Sequence, residues 1–325
     1  MLYLLTLRLI ARRLYISTLR GSGSRVVILL LARAAQRDRE AVTPTLLDDA
    51  DLQSNCRLEG ERGPVEGSPS PVSVFFPAFN DAESLRVLIP KTMETLRGIT
   101  PDFEVIVVDD GSTDNTSDIL EEMRGQFSTL RVVRHAQNRG YGAALRSGFQ
   151  ASSKPLVFYT DGDGQYDVSE LKNLVARLGD DVDVVNGYKI HRADALPRRF
   201  LGRFYHGLVR FLFGLKVRDV DCDFRLLRRR VVDAIPLTFS SGAICAELMT
   251  QIERAGFRVE EVPVHHYPRL SGRSQFFRLG PVLHMVRDVL ALWVRLVLFK
   301  RGPRVAASGT AAGPVVASSR PRISR

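Results

Sequence analysis

The chain has 325 residues, 45% hydrophobic and 25% charged. This excludes collagen-like, disulfide-dense and wholly disordered classes and leaves room for one large domain or two smaller ones. The net charge of +10 is unevenly spread. Residues 1–37 hold seven Arg and residues 301–325 hold five, with no acid in either stretch, so residues 38–300 carry 34 basic against 36 acidic side chains. The excess belongs to the ends, and no nucleic-acid partner is expected.

From the N-terminus, residues 1–37 form a basic, apolar extension. Its longest apolar run, Val26 to Ala32, is bounded by Arg25 and Arg33, far short of the roughly 18 apolar residues a spanning helix needs. No small-residue cleavage site follows it, so the stretch reads as a loose or membrane-touching extension rather than as a signal peptide. Residues 38–71 are rich in Pro, Gly, Ser and charge and read as a flexible linker. Cys56, Cys222 and Cys245 are an odd number, widely separated and without a CxxC pair. They argue against a disulfide framework or a zinc site and for a reducing, cytoplasmic setting.

The folded part is expected over 72–300. Val72–Phe76, Val105–Val108, Leu130–Arg134, Leu156–Thr160 and Val182–Asn186 have the length and apolar content of strands. Asp81–Leu96, Ser117–Gly125, Gly142–Ala151 and Val168–Leu178 place apolar residues at helical spacing between them. Strand and helix in alternation predict an α/β domain with a mainly parallel sheet and helices on both faces. Residues 189–230 hold twelve Lys and Arg against four Asp, a pattern that reads as a solvated helical face. A helix over 241–255 and a strand over 258–264 follow. Over 281–300 an amphipathic helix is expected, with Val282, Val286, Val289, Trp293, Leu296 and Val297 on one side and His284, Arg287, Asp288, Ala291 and Arg295 on the other. Trp293 reads as a packing anchor, and the tail at 301–325 as disordered and basic.

In an open parallel sheet, ligands bind at the carboxyl ends of strands, and three such ends here are polar. Asp161 and Asp163, one residue apart and followed by glycine, can present oxygens toward one point. With the amide oxygen of Gln165 they suit Mg²⁺ or Mn²⁺ holding a diphosphate, the alternative being an Asx turn. Asp109 and Asp110 close another strand; Asp114 or Thr116 can cap the next helix, which leaves the adjacent pair to accept hydrogen bonds from a nucleotide's base and ribose.

Pro77-x-x-Asn80-Asp81, Val107-Val108-Asp109-Asp110-Gly111-Ser112-Thr113-Asp114, Asn138-Arg139-Gly140 and Asp161-x-Asp163 occur in the order and approximate spacing of the family 2 inverting glycosyltransferases. Across about 72–300 the chain resembles that family, and within it the dolichol-phosphate and polyprenol-phosphate mannosyltransferases. The resemblance implies a Rossmann-like fold of the GT-A type, a nucleotide-sugar donor such as GDP-mannose, a divalent metal and a polyprenyl phosphate acceptor at the membrane surface. It places Pro77, Phe79, Asp81, Asp109, Asp110, Arg139, Gly140 and Asp161 around the donor, with Asp81 standing where Glu is usual. It makes Asp161, Asp163 and Gln165 the metal motif. Arg269 and Arg273 would lie near the donor phosphates. Asp163, Lys189 and Arg199 would be catalytic, with Lys189, Arg199 and Arg203 receiving the acceptor phosphate.

A phosphate acceptor is already ionised and needs no strong base. A transferase acting on a soluble acceptor would need one, and Asp221 or Asp223 would supply it. A non-catalytic subunit is a further alternative, against which so many clustered carboxylates argue. Cys222 reads as a packed small residue, and His265 and His266, adjacent on a strand, as structural rather than a metal pair.

Overall fold

The computed structural model describes residues 70–190, 206–269 and 279–298. The N-terminal extension, nearly all of the linker and the C-terminal tail lie outside them, as do Arg199, Arg203 and Arg273. Seven strands form one sheet: β1 Val72–Ala78, β2 Phe103–Asp109, β3 Leu130–Arg134, β4 Leu156–Thr160, β5 Val184–Ile190, β6 Phe224–Arg228 and β7 Val259–His265. Helices α1 Ala82–Arg97, α2 Thr116–Gln126, α3 Tyr141–Ala151, α4 Leu171–Arg177, α5 Arg229–Ala234, α6 Ala243–Ala255 and α7 Leu279–Trp293 connect or follow them. Residues 206–213 are also helical. Among the described residues no helix is long and apolar enough to cross a membrane.

The sheet order is β3-β2-β1-β4-β6-β5-β7, and every pairing is parallel except those of β6, which runs antiparallel to both neighbours. β1 and β4 are buried along their whole length, as strands covered on both faces must be. One face, carrying Val74, Phe76, Val105 and Phe158, packs on α1, α2 and α4. The other, carrying Phe75, Ile106 and Tyr159, packs on α3, α6 and α7. Pro263 is tolerated in β7 because that strand is an edge. The chain order reverses between β1 and β4, and the crevice outside their carboxyl ends is where such a sheet receives a ligand.

Two expectations are corrected. The basic run at 189–230 is not one solvated helical face: β6 lies inside it, in the interior of the sheet. Its pattern is masked because Arg225, wholly buried, takes a position where an apolar side chain would be expected. Arg225 is tolerated there because Nε donates to Asn186 Oδ1 at 2.7 Å, its terminal nitrogens donate to the Tyr159 hydroxyl and the Val220 carbonyl, and Asp223 lies 3.5 Å away. The buried stripe of the last helical segment is also rotated from the one expected. Met285, Val289, Leu292 and Leu296 face the core, and Asp288 is buried too, accepting from Ser241 Oγ at 2.8 Å. Trp293 anchors α7 by donating to the Leu212 carbonyl at 2.9 Å.

At the opposite end of the sheet, Glu104 joins three segments. It accepts from Ser73 Oγ at 2.7 Å, from the Ser153 amide and hydroxyl at 2.7 and 2.8 Å, and from Arg131 at 2.7 Å. Burial alone would raise its pKa, but these donors outweigh it and bring the pKa from 4.5 down to about 2. A depressed carboxylate pKa contributes stability that is fully present above the unfolded value and lost as pH falls through the folded one. Glu104→Gln should therefore lower the melting temperature at pH 7 by a few degrees, as expected for about 1 kcal/mol in a domain of this size. The gap to wild type should narrow between pH 4.5 and 2, which thermal denaturation across that range will measure.

Candidate active site

The carboxyl ends of β1, β2 and β4, together with the loop after β3, make one rim of the crevice. Asn80, with φ of 58°, turns the chain after β1. Its Oδ1 accepts from the Thr113 amide at 2.8 Å, and its own amide donates to Ser112 Oγ at 3.0 Å, so the loops after β1 and β2 are stitched together. Asp109 and Asp110 are almost wholly buried. Asp109 accepts from the Ser112 amide at 2.9 Å and Ser117 Oγ at 3.1 Å. Asp110 accepts from the amides of Arg139 and Gly140, both at 2.9 Å, and lies 2.5 Å from His135 Nδ1. Both aspartates are expected to face base and ribose; here their oxygens turn inward, those of Asp109 onto Ser112 and Ser117 and those of Asp110 onto the loop carrying Arg139 and Gly140. The Arg139 side chain is exposed. Gly140 has φ of 92°, and a Cβ there would lie 2.5 Å from the Ser240 carbonyl oxygen, so glycine is required.

At the switch point, the Gly162 amide donates to the Pro77 carbonyl at 3.2 Å. This contact brings the Asp161–Gln165 turn against the loop holding Phe79, Asn80 and Asp81. Asp161 accepts from the Tyr141 hydroxyl at 2.8 Å. Burial, with Asp223 and Asp163 adding, pushes its pKa well above the usual carboxylate range, while Tyr141 and Lys189 oppose. Asp163 accepts from the Gln165 amide at 3.1 Å and from Arg269 at 2.7 Å. Burial raises Asp81 to about 6, opposed by the Phe79 amide and Arg269. Its Oδ1 accepts no hydrogen bond and lies 3.6 Å from Arg269.

Gln165 donates its amide to the Tyr267 carbonyl at 3.1 Å, and the Tyr267 amide returns a bond to the Gln165 carbonyl at 2.8 Å. The amide group expected to face a metal thus also clips the exit of β7 to the crevice and sets the direction of Arg269.

The opposite rim is possible because β6 is antiparallel: its start lies at the edge where parallel β5 ends. Lys189 near the end of β5 therefore meets Asp219, Asp221 and Asp223. Lys189 Nζ donates to the Asp221 carbonyl at 2.5 Å and its amide to Asp219 Oδ2 at 3.3 Å. Burial disfavours the ammonium, but Asp219, Asp221 and Asp223 more than offset it, and the pKa of Lys189 is raised. Asp221 is pushed by burial to about 7, with Lys189 opposing. Cys222 is buried and its thiol is pushed up to about 12, a packed side chain as expected. Arg210 is exposed on the helical residues 206–213. His265 pairs with Glu170 at 2.9 Å while His266 stands edge-on to Tyr166, so the two do not converge.

The donor set suits a hard cation in kind, with oxygen ligands and two carboxylates on one turn, although Arg269 occupies one oxygen of Asp163. Among the described residues no group of three or more His, Cys, Asp or Glu side chains is arranged to hold a metal. The remaining ligands would thus come from the donor's phosphates and water, as Mg²⁺-type sites commonly take them.

The glycosyl transferase family 2 model matches residues 73–235, and the chain belongs to that family. It is 29% identical over 221 residues to the undecaprenyl-phosphate 4-deoxy-4-formamido-L-arabinose transferase of Yersinia enterocolitica serotype O:8, a match covering 67% of this chain and 66% of that relative. Among solved structures it is similar to glucosyl-3-phosphoglycerate synthase of Mycobacterium tuberculosis. In its complex with Mn²⁺, uridine diphosphate and phosphoglyceric acid, that protein gives a TM-score of 0.52 at 22% identity, covering 69% of this chain and 78% of that one. In its complex with Mn²⁺, uridine-diphosphate-glucose and phosphoglyceric acid the TM-score is 0.54 at 20% identity, covering 78% and 84%. These likenesses show the GT-A glycosyltransferase fold.

Tyr141 and Arg225 were not among the expected site residues. Tyr141 directly follows the Arg139-Gly140 motif, but a tyrosine opening a helix carries no chemical signal until the fold sets it opposite Asp161. Tyr141→Phe removes the hydroxyl that donates to Asp161 and should raise the KM for the sugar nucleotide by roughly tenfold, the value of one hydrogen bond to a charged group, with the folded circular dichroism spectrum retained.

Proposed function

We propose that this chain moves a hexose from a nucleoside diphosphate sugar to a polyprenyl phosphate with inversion, with mannose from GDP-mannose as the expected donor, at the cytoplasmic face of the membrane. An oxygen of the acceptor phosphate attacks the sugar's anomeric carbon as the bond to the diphosphate breaks, and the nucleoside diphosphate leaves with the electron pair. That phosphate is largely ionised near neutral pH, so the protein's task is to hold it in line against the repulsion of the donor diphosphate. Asp161 and Asp163 would hold a Mg²⁺ or Mn²⁺, which when bound supplies positive charge against the leaving diphosphate.

The observation that carries the acceptor class is Lys189. Its ammonium stands beside Asp219, Asp221 and Asp223 and within electrostatic reach of Asp161, a positive charge at the crevice that suits an anionic nucleophile. The name of the Yersinia relative, which also specifies a polyprenyl phosphate, supports the same class. Arg199 and Arg203 are proposed as further phosphate partners and Arg273 as a donor-phosphate partner. Exposed Phe211 and Leu290, on segments joined through Trp293, suit peripheral contact with lipid.

A second reading has its own observation: Asp221, at about 7, has the pKa of a general base for a hydroxyl acceptor. Purified chain with Mg²⁺ or Mn²⁺, labelled GDP-mannose and a panel of other sugar nucleotides, supplied with polyprenyl phosphate, should yield labelled lipid, and chelation should abolish it. Lys189→Ala should cost about 100-fold in turnover, in the range of lost electrostatic stabilisation, while Asp221→Asn stays within a few fold. The reverse order, with product on a soluble acceptor, would establish the second reading.

A further inference from the structure

Arg269 sits on the chain as it leaves β7, and its guanidinium lies between the two loops of the switch point. One nitrogen donates to Asp163 Oδ2 at 2.7 Å; another is 3.6 Å from Asp81 Oδ1. Its side chain is 26% exposed, whereas those of Asp163 and Asp81 are 7% and 10% exposed. The arginine therefore caps two nearly buried carboxylates from the solvent side. The other oxygen of Asp163 accepts the Gln165 amide, so a cation binding Asp163 must share the carboxylate with Arg269. The paired hydrogen bonds between Gln165 and Tyr267 keep the arginine close to that place.

We infer that Arg269 is a resident counter-ion that competes with the divalent cation for Asp163 and thereby makes cation binding depend on the nucleotide. The inference rests on the metal-dependent reading above. A cation arriving alone must displace a charge-assisted hydrogen bond and face a like charge a few ångströms away. A nucleoside diphosphate changes the balance, because its phosphates offer the guanidinium a bidentate partner better than one shared carboxylate oxygen. Arg269 transfers from carboxylate to phosphate, and Asp163 is released to the cation. Cation and nucleotide then each raise the other's affinity by the same factor, as linkage requires. A cation held without donor is disfavoured, and the carboxylates keep a positive partner between turnovers.

The test is Mn²⁺ binding, followed by the electron paramagnetic resonance signal of free Mn²⁺, without nucleotide and then with saturating guanosine or uridine diphosphate. Full-length wild type is compared with Arg269→Ala, Arg269→Gln and Arg269→Lys. Without nucleotide, the Ala and Gln variants should bind Mn²⁺ about tenfold more tightly, a typical coupling, and the Lys variant should stay near wild type. The gain in Mn²⁺ affinity on adding nucleotide should shrink in Ala and Gln by the same factor. Should Ala fail to fold, the contrast between Gln and Lys decides. Nucleotide-free affinity that is unchanged or weaker in the neutral variants, with nucleotide-dependent binding intact, overturns this inference alone. Absence of Mn²⁺ binding in every form even with nucleotide overturns the metal-dependent reading, and this inference with it.

Discussion

Six aspartates converge on one edge of the sheet, and burying them together is the constraint around which the rest of the site is organised. Asp81, Asp161 and Asp163 come from the β1 and β4 ends, Asp219, Asp221 and Asp223 from the approach to β6. Desolvation and mutual repulsion raise the pKa values of Asp81, Asp161 and Asp221, and three cations oppose them from different directions. Arg225 lies beneath the floor, Lys189 stands on one rim, and Arg269 crosses from the other. Such an arrangement sets carboxylates and their counter-ions against one another at the mouth of a low-dielectric crevice, where exchanging one charged partner for another is felt strongly.

The remaining polar residues of the rim do a different job. Asp109, Asp110 and Asn80 saturate their oxygens with backbone amides and hydroxyls, fixing loops whose own backbone would otherwise be unsatisfied. A carboxylate that accepts several such bonds is a rigid joint. The loop through Arg139, Gly140 and Tyr141 owes its place to Asp110, and through Tyr141 that rigidity reaches Asp161. The far side of α3 is held in turn by the segment before α6: the Gly142 amide donates to the Ser240 carbonyl at 2.8 Å, and buried Glu247 accepts from the Thr238 and Phe239 amides at 2.8 and 3.1 Å. Because Ser241 is bonded to Asp288 on α7, the helix whose outer side carries exposed Leu290 is mechanically continuous with the turn at Gly140.

Much of this could be read from one chain. Local hydrophobic pattern determined every strand but β6, and the helices between the first five, because buried strands spell out short apolar runs and helices spell out a 3.6-residue stripe, each within a dozen residues. The motifs Asp109-Asp110, Asn138-Arg139-Gly140 and Asp161-x-Asp163 determined the family for a similar reason: turns at strand ends demand particular residue types at fixed spacing. What the tertiary structure alone decided is everything that depends on neighbours distant in sequence. β6 was hidden because a buried arginine is tolerable only where Asn186, Tyr159 and Asp223 wait to receive it. The inward turn of Asp110, the approach of Tyr141 to Asp161, the meeting of Lys189 with Asp221 and the span of Arg269 from Asp163 to Asp81 all join residues from about twenty to almost two hundred positions apart, and no local pattern encodes a distance that only the crossing of the strands creates.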